Sequence, residues 1–192
     1  MNTVATTKIE VTRTDIQEVY FHRLGSPRSS DIRIARCTGD LDGHFFSVET
    51  SDDGQYLIAN ISKGTLRENK VWYLPLINQS DSITEEQQWL KLIDTMEFVY
   101  DFVTSEGDLL YFRTNANAAN FRLITMNSMT KEIKEIIAEH QSDILEDITR
   151  VYKNYLLVRY LSHVKSVLYL YDMKTGEKRR HFDLPIGNIG VW

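Results

Sequence analysis

The chain has 192 residues, of which 42% are hydrophobic and 11% aromatic, with a formal net charge of −5 and a pI near 5.6. That is one or two domains' worth of chain with ample core material, and its acidic balance with scattered Lys and Arg leaves no footprint for nucleic acid or anionic lipid. Cys37 is the single cysteine, so an internal disulfide or a cysteine metal site is excluded.

One thiol fits a reducing, cytoplasmic setting. No apolar run approaches the roughly 20 residues that span a bilayer. Residues 1–15 are rich in threonine and lack the apolar stretch of a secretory signal. They are expected to be an irregular lead-in, with Val4, Ile9 and Val11 placed for a displaced edge.

Residues 16–38 hold two strand patterns, Glu18 to Leu24 and Asp31 to Cys37. Leu24-Gly25-Ser26-Pro27 turns the chain between them, since Gly and Pro break the ladder. Residues 45–94 carry four strands in a row. Phe45 to Glu49 comes first, and Ser51-Asp52-Asp53-Gly54 turns it into Gln55 to Ile61. The Asp-Gly pair predicts a tight hairpin, because glycine takes positive φ without a Cβ penalty. Lys70 to Leu76 and Trp89 to Asp94 follow as third and fourth strands. Aromatic and β-branched residues dominate these runs, as a pleated, half-buried surface requires.

The unit then recurs in residues 98–138 and 145–184. Gly107 answers Gly54, and Lys153-Asn154 is the expected turn of the next copy, since Asn tolerates the left-handed region. Met129 to Ala138 is a local conflict. Ile133, Ile136 and Ile137 stand at helical spacing among good helix formers, while the repeat requires a fourth strand there. The prediction is a strand. Residues 186–192 match a first strand.

A four-strand unit with a period of roughly 50 residues is the signature of a β-propeller. A β-sandwich is the rival, but a sandwich needs no repeated unit of fixed content. The predicted fold is therefore all-β: a partial β-propeller of three antiparallel four-stranded blades, with half a blade before them and one opening strand after. Such an object presents unpaired edges and reads as a piece of something longer.

Chemistry-bearing motifs are absent from these residues. No Gly-x-Ser-x-Gly elbow, His-Glu-x-x-His pattern, Cys-His zinc spacing or glycine-rich phosphate loop occurs. No cofactor or metal is expected. His22 lies in a strand pattern and reads as a packed or edge histidine. Asp52-Asp53 and Glu85-Glu86 read as turn caps, and Trp72 and Trp89 as anchors between blades.

Several stretches resemble the propeller of the prolyl oligopeptidase family. They are Gln17 to Ser26, Ser51 to Tyr56, Val71-Trp72-Tyr73, Lys91 to Asp94, Tyr100 to Gly107, Phe112 to Asn115, Glu139-His140, Asp143 to Glu146 and Tyr160 to Lys165. The resemblance is colinear from about Asp15 to the end. It implies serine endopeptidases that cut short peptides after proline, in which a seven-bladed propeller gates an α/β-hydrolase domain carrying Ser, Asp and His. The expected partners are that C-terminal hydrolase domain and short proline-containing peptides, with no nucleic acid and no membrane. The resemblance places no catalytic residue in this chain, which is expected to be inactive alone.

By alignment, three propeller positions of the family's substrate wall fall on Phe45, Ser62 and Thr65. The family has methionine, arginine and cysteine there. Serine does not make the charged, forked contact of arginine, and Lys63 stands one position away. The alternative function is a truncated, non-catalytic propeller piece that recruits another chain by strand addition.

Overall fold

The computed structural model describes residues 4–7, 17–76, 83–85 and 87–184. It divides into two compact units, Met1–Glu97 and Phe98–Trp192. Among the described residues every sheet is antiparallel between chain neighbours, and no helix is long and apolar enough to cross a membrane. The strand expected over 186–192 lies outside the described residues.

The first unit holds two sheets. Sheet I runs β1 (Val4–Thr7), β2 (Glu18–His22) and β3 (Ile32–Arg36). Within the lead-in expected to be irregular, β1 is thus an edge strand, pairing Val4 with His22 and Thr7 with Val19. Sheet II runs β4 (His44–Thr50), β5 (Tyr56–Lys63), β6 (Asn69–Pro75) and β7 (Leu90–Ile93). Val19, Ile34 and Cys37 of sheet I and its flank share a core with Phe46, Leu57, Ala59, Ile61 and Leu74 of sheet II. Most of β5 is buried, as an inner strand covered on both faces must be.

Polar groups tie the sheets at two points. The Gln17 amide imitates a neighbouring strand: its Oε1 accepts from the Phe46 N–H, and its Nε2 donates to the Phe46 carbonyl at 3.2 Å. The Trp89 indole N–H donates to the Ile34 carbonyl at 2.9 Å.

The turn at Asp52-Asp53-Gly54 is wider than a two-residue hairpin. Ser51 N–H still reaches the Tyr56 carbonyl at 2.9 Å, and the Asp53 carboxylate accepts from Ser51 Oγ and from the Gln55 N–H. A side-chain acceptor here stabilises a longer loop.

Cys37 is fully buried in the core of this unit. Burial, with the Asp42 charge adding, pushes its thiol up to about 11. A thiol reagent at pH 8 is therefore expected to leave Cys37 unmodified in the native chain and to label it fully in denaturant, since only the thiolate reacts. Rapid native labelling would show that this core opens.

The second unit repeats the plan with two four-stranded sheets. Sheet III contains β8 (Tyr100–Glu106), β9 (Leu109–Thr114), β10 (Arg122–Asn127) and β11 (Ile133–Ile137). Sheet IV contains β12 (Ile144–Val151), β13 (Tyr155–Ser162), β14 (Lys165–Asp172) and β15 (Lys178–Phe182). Tyr111, Leu123 and Ile137 pack with Leu145, Leu156, Val158, Tyr160, Tyr171 and Met173. Arg150 bridges the two sheets, donating from Nη1 to Thr104 Oγ1 at 3.1 Å and to the Ser105 carbonyl at 2.9 Å.

β11 settles the helix-or-strand conflict in favour of the strand. A helix would bury Ile133 with Ile136 and Ile137. In β11 Ile133 is instead 55% exposed and only Ile137 is buried, while β10 gains a backbone partner along its edge. Satisfying that edge outweighs local propensity.

A second turn departs from expectation, and a third carries strain of its own. The left-handed residue of the β12–β13 turn is Tyr152 (φ 55°), while Asn154 is not among the positive-φ residues. Val151 pairs with Tyr155, so three residues close the turn and the positive φ falls on the first. The β13–β14 hairpin is a two-residue turn whose central residues are His163 (φ 47°) and Val164 (φ 67°). This geometry favours Asn-Gly, and β-branched valine is strained in it. Val164 is 95% exposed, so no packing compensates. Val164→Gly is expected to stabilise the chain by about 1 kcal/mol, a rise of about 2–4 °C in melting midpoint. A lower midpoint would mean that the valine makes a contact worth more than its strain.

Candidate functional site

The three predicted wall residues lie at one end of sheet II, two of them paired across its strands and the third in the adjoining turn. Phe45, near the start of β4, is 45% exposed. Its Cα partner across the ladder is Ser62, the penultimate residue of β5. Directly opposed residues of an antiparallel pair point to the same face, so the phenyl ring and the hydroxyl stand side by side. Thr65 lies beyond the strand, in the turn Lys63 to Leu66 that the Leu66 N–H closes on the Lys63 carbonyl at 3.1 Å. Gly64 takes φ +57° there, which lets the chain double back towards β6. Ser62 also faces Asn69 on β6. The β4–β5 register therefore brings Phe45 and Ser62 together, while Thr65 is presented by the loop.

This corner is uncharged at Phe45, Ser62 and Thr65, with an apolar ring and two hydroxyls. Its charge comes from two exposed neighbours, Lys63 and Arg67, neither of which makes an ion pair among the described residues. Arg67 escaped the sequence reading. Its only signal was being the single guanidinium in the hairpin after Ser62, and an alignment read position by position passes over a residue displaced along a loop. Chemically, the corner offers a ring for apolar contact, two hydroxyls for hydrogen bonds, and two mobile-length cations suited to carbonyl or carboxylate oxygens.

Side chains with catalytic potential elsewhere are absorbed into the architecture. His22 Nδ1 lies 2.6 Å from Asp31 Oδ1, buried His44 sits 3.2 Å from the Asp42 carbonyl, and His140 Nδ1 accepts from the Asp143 N–H at 3.0 Å. His181 stacks on Tyr169 with ring centroids 4.9 Å apart. Trp72 packs its ring edge on Phe46 at 6.3 Å, and its indole N–H donates to Asp94 at 3.0 Å. Against burial, which pushes it up, hydrogen bonds from Lys91, that indole N–H and Lys70 together hold the Asp94 carboxyl below the usual carboxylate range. Among the described residues no three His, Cys, Asp or Glu side chains gather as a metal site.

The family model for the prolyl oligopeptidase N-terminal β-propeller domain matches residues 2–192. Prolyl oligopeptidase A of Galerina marginata is 35% identical over 155 residues, covering 80% of this chain and 20% of that protein. A prolyl endopeptidase of Elizabethkingia miricola is 29% identical over 178 residues, covering 90% of this chain and 23% of its own. Among solved structures, apo prolyl oligopeptidase B from Galerina marginata superposes with a TM-score of 0.84 at 24% identity, over 94% of this chain and 25% of that one. This chain thus spans about a fifth to a quarter of the length of these relatives.

Proposed function

The chain belongs to the prolyl oligopeptidase family, as N-terminal β-propeller sequence, and from that premise we propose that it forms part of the wall gating short proline-containing peptides to a serine endopeptidase site. The acyl transfer is performed by a Ser-His-Asp triad and oxyanion hole on an α/β-hydrolase domain supplied by sequence beyond these residues. The family match along the whole chain is the observation that carries this reading.

Within the wall, Phe45, Ser62 and Thr65 are the proposed substrate-facing positions. Phe45 supplies an apolar surface for a side chain of the bound peptide. Ser62 donates or accepts a single hydrogen bond where a guanidinium would make a fork, so the outer part of the peptide is held more weakly there. Lys63 and Arg67 reach peptide carbonyls from the same hairpin. The setting is cytoplasmic, in keeping with the unpaired buried thiol.

The test uses the longer polypeptide that includes these residues together with its hydrolase domain. It is expected to cleave a proline-containing peptide, and the isolated chain is expected to show no turnover. Ser62→Arg in the long form is expected to lower KM about tenfold with little change in kcat, since the restored contact binds ground and transition states alike. Turnover by the clean isolated chain, or an indifferent Ser62→Arg variant, would count against this assignment of roles.

A further inference from the structure

β15 is the outermost strand of sheet IV, and its far edge has no strand partner among the described residues. It reads Lys178-Arg179-Arg180-His181-Phe182, and the first four side chains are exposed. This is a dense positive strip on a chain whose net charge is −5.

The strip is shaped by a β-bulge. Tyr171 pairs with Lys178, Leu170 with Arg180, Tyr169 with His181 and Leu168 with Phe182, so Arg179 is the additional residue. The extra residue puts Lys178 and His181 on one face, over Tyr169, and Arg180 with Phe182 on the other. Lys178 Nζ lies 3.9 Å from the Tyr169 ring centroid, and the Arg180 guanidinium 5.2 Å from that of Phe182. The charge of Arg179 is met by Asp172 at 3.2 Å and Glu177 at 2.9 Å. Lys178 and Arg180 make no carboxylate ion pair among the described residues. Their aromatic contacts hold the side chains in place without neutralising them.

We propose that β15 is a docking edge for an extended acidic segment of a partner protein, which adds as a fifth strand of sheet IV and sets its carboxylates against Lys178 and Arg180. Charge complementarity selects the occupant. An edge studded with cations repels basic strands and costs neutral ones the desolvation of its charges, the usual guard against indiscriminate pairing, but the same charges favour a strand that carries Asp or Glu on both of its faces. Main-chain hydrogen bonds along the open edge supply affinity, and the cations on either face supply the choice of partner.

The experiment titrates the chain into a labelled short peptide of repeated Val-Glu-Glu, whose adjacent glutamates put carboxylates on both faces of a strand, read by fluorescence anisotropy at low and high salt. Saturable binding at low salt that weakens as salt rises is expected. Lys178→Glu/Arg180→Glu should weaken it about tenfold or more with an unchanged melting midpoint. Lys178→Gln/Arg180→Gln gives the same readout if the charge reversal disturbs folding. Lys131→Glu/Lys134→Glu, a charge change on sheet III, should bind as the wild type does. A peptide N-methylated at alternate backbone nitrogens should lose binding. Wild-type affinity in the β15 variants, or undiminished binding of the N-methylated peptide, overturns the proposal. Tighter binding of a single-stranded oligonucleotide would also overturn it, marking an unspecific basic patch.

Discussion

Gly176→Ala is expected to destabilise the chain by about 3–5 kcal/mol, whereas Gly107→Ala costs only about 1 kcal/mol. Both glycines sit in the left-handed region, at φ +69° and +57°, so the backbone penalty for a side chain is nearly shared. Space separates them. A Cβ on Gly107 meets nothing within 4 Å, while one on Gly176 falls 1.8 Å from the Ile136 carbonyl oxygen and 2.8 Å from its carbon. Those are backbone atoms of β11 on the neighbouring sheet, which no rotamer change moves aside. The turn that holds Gly176 has little freedom to retreat. Asp172 accepts backbone N–H donors from Lys174 and Thr175 at 3.1 Å each, and the Gly176 N–H donates to the Asp172 carbonyl at 2.9 Å. Relief therefore requires separating sheets III and IV, with loss of their shared core. Urea unfolding of the two variants against wild type decides the matter, and equal midpoints would show that the sheets yield easily.

The second large effect is expected at Arg113. Arg113→Ala should cost about 2–4 kcal/mol, and Arg113→Lys roughly half of that. The guanidinium does three things at once. Its Nε donates to the Leu145 carbonyl of sheet IV at 2.7 Å, its Nη1 pairs with Asp101 on β8, and its plane lies 3.7 Å over the Phe121 ring. Leu145 is fully buried, so its carbonyl loses this donor with no water to replace it. The Asp101 side chain is 46% exposed and is rehydrated readily, so Asp101→Asn is expected to cost well under 1 kcal/mol. Lysine keeps the charge but has neither the fork nor the flat face for Phe121. If Arg113→Ala and Asp101→Asn cost the same in denaturant unfolding, the salt bridge dominates and the link to sheet IV is energetically minor.

Gly176 and Arg113 both act through contacts between neighbouring sheets, which no local stretch of sequence encodes. The alternation of aromatic and β-branched residues with polar ones determined by itself that this chain is built of strands, because a pleated surface with a buried face has a period of two. The recurrence of that unit determined the blade architecture. The turn glycines at 54 and 107 were legible because positive φ excludes most other residues, and both take it, at 69° and 57°. The proposed wall positions Phe45, Ser62 and Thr65 rest on alignment alone, and Arg67, displaced along the same hairpin, has no counterpart in it.

Other features have no local signature. Residues 133–137 have a helix former's spacing, yet β10 offers an unpaired edge that only a strand satisfies. Which residue of the β12–β13 turn would go left-handed depended on the pairing of Val151 with Tyr155, so it fell on Tyr152 and not on an asparagine. The side-by-side placement of Phe45 and Ser62 came from the β4–β5 register. Local pattern thus determined what each segment is, since periodicity and turn chemistry act over a few residues. Tertiary structure decided which edges, carbonyls and side chains meet, since those partners lie tens of residues apart and only the pairing and stacking of sheets brings them within reach.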